Sequence, residues 1–85
     1  MPAKVTNEDL DRFWQQFYRS VDYFEREFER LFQEYPGQFI AILDEKMIDH
    51  DRDEEVVALR VRDSYPDRYV LIVRAVPRIS ELIDV

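Results

Sequence analysis

A chain of 85 residues suits one domain with one core. Its 46% hydrophobic content excludes a disordered tail, and the absence of cysteine excludes disulfides and thiolate metal sites. A net charge of −7 argues against nucleic acid as the main partner, because phosphate contacts need a concentrated basic surface.

A core this small is marginal, and oligomerisation is the common supplement that remains. The first residues run into polar sequence with no apolar stretch of signal-peptide length, and no run approaches a membrane span. The expected location is the cytoplasm, with no membrane partner.

In chain order, residues 7–34 read as one long helix. Leu10, Trp14, Phe17, Val21, Phe24, Phe28, Leu31 and Tyr35 alternate steps of four and three, a heptad-like stripe. Thr6 is placed to accept from the amide of Asp9, with Val5 and Leu10 as a hydrophobic staple. Pro36 and Gly37 mark the stop. Arg12, Arg19 and Arg26 lie seven apart on the outward face, within pairing distance of Glu8, Asp22 and Glu29, which reads as a solvated, salt-bridged face.

The period then changes. Gln38 to Leu43 is a strand, Asp44-Glu45-Lys46 a turn, and Met47-Ile48-Asp49 the returning hairpin partner. Asp51 to Ser64 reads as a shorter helix, capped by Asp51, with Val56, Val57, Leu59 and Val61 as its apolar face. Residues 65–68 form a loop and Tyr69 to Val76 a third strand. In the tail, 77–85, Ser80 to Ile83 fits either a docked turn or a sheet extension.

The expected fold is α+β, one domain in the order αββαβ with a 38–76 ββαβ unit and a three-stranded mixed sheet. A right-handed crossover sets the third strand parallel to the second, and doubly apolar Phe39–Leu43 belongs in the centre, giving order 2-1-3. The short helix covers one face; the long helix or a second subunit covers the other. A helix of roughly 40 Å outruns a sheet of roughly 20 Å. The excess stripe predicts a homodimer, with Leu10, Phe13, Trp14, Phe17, Val21, Phe24 and Phe28 as interface.

Chemistry has few places to reside. Asp49, Asp51 and Asp53 imitate the start of a calcium loop, but Glu54 replaces the turn glycine and Arg60 the bidentate glutamate. A polar helix junction is the better reading of Asp49–Glu55; a small metal-binding or hydrolytic domain using that cluster is the alternative. His50 is the only histidine, and Ser20, Ser64 and Ser80 sit on no nucleophile turn. No cofactor, metal site or catalytic constellation is expected.

Tyr35, Gly37, Phe39-Ile40-Ala41, the turn Asp44-Glu45-Lys46, Asp53 and Val76-Pro77 carry a resemblance. Over Leu31 to Pro77 the chain resembles a family of short prokaryotic proteins classed as a domain of unknown function. The family usually has glycines in the hairpin turn and before the helix, where Glu45 or Lys46 and Asp51 stand here. The resemblance implies a hairpin–helix–strand order and no established catalytic residues. A protein-interaction module follows as the expected function, self-associating and open to an accessory or antitoxin-like protein partner.

Overall fold

Thr6 caps the first helix as its spacing suggests: its hydroxyl accepts from the Asp9 amide, and the Asp9 carboxylate accepts from the Thr6 amide. A computed structural model describes residues 6–77, so the staple expected of Val5, and the docked turn or sheet extension expected of Ser80–Ile83, lie outside the described residues. The helix does not run unbroken to residue 34. It divides into α1 (Asn7–Arg26) and α2 (Phe28–Glu34) at Glu27, whose φ of −100° and ψ of 9° leave the helical region.

Arg30 brackets that break. Its Nε donates to Glu27 (3.1 Å), its Nη2 to the Tyr23 hydroxyl (3.3 Å), and its Nη1 lies 3.5 Å from Glu34. The hydrogen bond to Glu27 is the main reason its pKa is raised. Of the outward arginines, Arg26 reaches Glu45, 3.5 Å away in the hairpin turn.

The strands are β1 (Phe39–Leu43), β2 (Lys46–Asp51) and β3 (Leu71–Arg74), with α3 (Glu54–Ser64) between the last two. Their order is β2-β1-β3, as the doubly apolar β1 requires. β3 follows the direction of β2 but lies beside β1, so both pairs are antiparallel. The sheet is therefore antiparallel throughout rather than mixed. β2 runs two residues beyond Asp49, because an edge strand tolerates polar residues such as His50 and Asp51. Tyr69 and Val70 precede β3 instead of opening it.

β1 is buried on both faces. Ile40 and Ile42 join Leu31 and Ala75 under α1 and α2, with Phe24, Tyr35, Met47, Leu71 and Val73 around them. Ala41 packs with Val57 and Val61 of α3, flanked by Phe39, Ile48, Val70 and Ile72. The expected three layers are present, the helices from the N-terminal segment covering the face opposite α3. Capping of α3 falls to Asp53, whose carboxylate accepts from the Glu55 amide, not to Asp51. Leu59 lies outside the core, exposed on α3.

Candidate interaction surface

Two contacts fix how α1 lies. Near its start, Phe13 meets Tyr69 edge to face at 5.3 Å, just before β3; at its end, Arg26 meets the β1–β2 turn. The helix thus runs across the sheet from the β3 side toward the β1–β2 turn, and its first turns extend past Tyr69. Twenty residues make it about 30 Å long.

Its rotation is less obvious. The residue α1 buries most deeply is Ser20, 2% exposed, while Leu10, Trp14 and Tyr18 are 46%, 47% and 60% exposed. Phe13, Ser20 and Phe24 share the side of α1 turned to the sheet. At 100° per residue, Leu10, Trp14 and Val21 lie roughly 80° further round α1. The apolar arc is wider than the sheet can cover, so the excess lies around the helix as well as along it.

The uncovered aromatics touch one another. Trp14 meets Phe13 at 5.3 Å, Phe17 at 5.7 Å and Tyr18 at 5.9 Å between ring centroids. Such offset and edge-on pairs fix the side chains without hiding them. A cleft of about 420 Å3 lies beside them, lined by Phe13, Phe17 and Ser20 above and Tyr69, Leu71 and Ile72 at the strand.

The structure thus places the seven expected interface residues in three settings. Leu10, Phe13 and Trp14 are exposed; Phe17, Val21 and Phe28 are half-buried; Phe24 is half-buried and packs against the Leu31–Ile40–Ile42 core. Tyr18 and Tyr69 complete the surface and were not evident in the sequence. Tyr18 falls outside the heptad stripe, although it stands four residues from Trp14, a spacing that brings helical side chains together.

The acidic junction is organised around a guanidinium. Arg60 donates from Nε to Asp49 Oδ2 (2.8 Å), and from Nη2 to Asp49 Oδ1 (2.9 Å) and the His50 carbonyl (3.0 Å), with Asp51 3.5 Å away. The Asp53 amide, donating at 2.9 Å, is the main cause holding the Asp51 carboxyl below its ordinary pKa, assisted by Arg60. Hydrogen bonding to Asp49 raises the pKa of Arg60. His50 turns to the opposite face, its Nδ1 2.8 Å from Gln38 Oε1 and its ring 4.1 Å from that of Tyr35.

Asp49 and Asp51 therefore converge on a guanidinium, while His50 points away from both. Among the described residues, no group of three or more His, Asp or Glu is arranged to hold a metal ion. Ser20 is buried and Ser64 ends α3; no hydrogen bond joins either to His50 among the described residues. Nor is any described helix long and apolar enough to cross a membrane.

Comparison with known proteins places part of the chain in a family. Residues 30–78 fit the model of a family of unknown function, DUF5678, within a residue at each end of the stretch that carries the resemblance. No curated protein and no solved structure matches.

Proposed function

The chain belongs to this family of unknown function, and from that premise we propose a non-enzymatic interaction module that self-associates through the aromatic side of α1. One observation carries the reading: Leu10, Phe13, Trp14 and Tyr18 lie together on one helix at 37–60% exposure. Single exposed apolar residues are ordinary on protein surfaces, but a contiguous aromatic patch marks an interaction site. Covering three such rings is worth several kcal/mol at about 25 cal/mol per Å2. That gain is comparable to the whole stability of a small domain.

Sedimentation velocity at micromolar concentration tests the reading. The expected species has twice the 10.4 kDa chain mass. Phe17→Glu, which places a charge in the seam, should return it to monomer, whereas Arg19→Ala on the outward face should leave it unchanged. A monomer at every accessible concentration would overturn self-association.

A further inference from the structure

The two edges of the sheet are built differently. β2 presents Lys46, Asp49, His50 and Asp51 and is bulged opposite Ala41/Ile42, where Ile48 is left without a partner. Charge and a bulge are the usual guards against a second strand. β3 carries Leu71-Ile72-Val73 in unbroken register with β1 and meets its first charge only at Arg74. Its outer edge has no partner strand among the described residues.

The hydrogen bonds show which amides face that edge. Ala75 donates to the Gln38 carbonyl and accepts from the Gly37 amide, so its polar groups turn toward β1. Alternation along an antiparallel strand then turns Leu71 and Val73 inward, and Val70, Ile72 and Arg74 outward. The Arg74 carbonyl is already taken by the Val76 amide. Among the described residues, both backbone groups of Ile72 are left for a neighbour, at the centre of the strand.

The overhang of α1 lies above the same edge. Phe13, Phe17 and Ser20 roof the cleft whose side is Tyr69, Leu71 and Ile72. We infer that a second copy of this chain pairs its β3 against β3, centred on Ile72, so that two three-stranded sheets become one antiparallel sheet of six strands. The inference rests on the self-association proposed above and specifies its geometry. Antiparallel strands of identical chains are related by a two-fold axis perpendicular to the sheet. Both α1 helices then lie on one face and meet across the axis, each extending its aromatic end over the partner's strand.

A second copy fits this surface better than a lone extended peptide. A peptide strand would occupy the edge but leave Leu10, Trp14 and Tyr18 in water. The exposed parts of Leu10, Phe13, Trp14, Tyr18 and Tyr69 come to about 500 Å2, given on the order of 150–250 Å2 for each aromatic side chain. Doubling by symmetry gives about 1,000 Å2, the size at which specific interfaces begin. The register sets Val70 opposite Arg74 of the partner subunit, so no like charges face each other.

Backbone hydrogen exchange on the isotopically labelled full chain tests the arrangement, read by NMR at concentrations on either side of the association midpoint. The Ile72 amide should slow at least about tenfold on association, while Val73, bonded within the sheet, is protected in both states. Association that leaves Ile72 exchanging freely would overturn the strand pairing and leave self-association standing. Equal protection of Ile72 at both concentrations would show that its own chain covers the edge, and would also overturn the pairing. Absence of association would remove both proposals.

Discussion

Arg60 supplies from α3 the positive charge around which Asp49 and Asp51 are placed, and a calcium-like aspartate spacing thereby becomes a structural clamp between β2 and α3. The sequence already showed that Arg60 replaces a needed carboxylate. It could not show that the same arginine would act as the cation, because that depends on the α3 crossover. The clamp has a pH signature. Asp51 has a folded pKa below its unfolded value, so the stability it adds is complete above the unfolded value of about 3.9 and disappears as pH falls through the folded one. Asp51→Asn should therefore show a smaller drop in Tm between about pH 5 and pH 2 than the parent chain. Superimposable Tm profiles from calorimetry would exclude Asp51 as a contributor.

At the scale of elements, the strands and their order were legible because β1 is apolar on both faces and had to be central. The break at Glu27 was not, since neither proline nor glycine marks it and the apolar stripe passes through it undisturbed. Tertiary docking of Leu31, fully buried against Ile40 and Ile42, outweighs helix continuity there. The hairpin turn also departs from sequence preference. Asp44 and Glu45 have φ of 51° and 58°, the signs of a type I′ turn, which favours glycine at its second position. A left-handed residue other than glycine costs roughly 1–2 kcal/mol. The exposed Arg26–Glu45 pair offsets little of this, because such contacts are worth little in water. Glu45→Gly should accordingly stabilise the chain by about 1 kcal/mol, allowing for the greater freedom glycine gives the unfolded state. Urea titration would show a higher midpoint at unchanged slope; a lower midpoint would mean that the pair, not the backbone, governs the turn.

For the molecule as a whole, helix length alone pointed to an uncovered stripe, but the rotation of α1 is set by how the helix docks on the sheet. It is Ser20, a small polar residue, that lets the helix approach the sheet, and this choice turns Trp14 and Tyr18 outward. The association proposed above would set apolar contact against charge, since each chain carries −7. Two such chains repel, and salt screens that repulsion over a Debye length of about 10 Å at 0.1 M. Trp14 is the sole tryptophan and is 47% exposed in the single chain, so its emission should shift to shorter wavelength as the aromatic seam closes. Raising ionic strength from about 0.02 M to about 0.3 M should move the midpoint of that shift to lower protein concentration, by several-fold. An assembly held by ion pairs would respond in the opposite sense. Weaker association at high salt would therefore place the contact on the Arg12–Arg19 face rather than on the aromatic one.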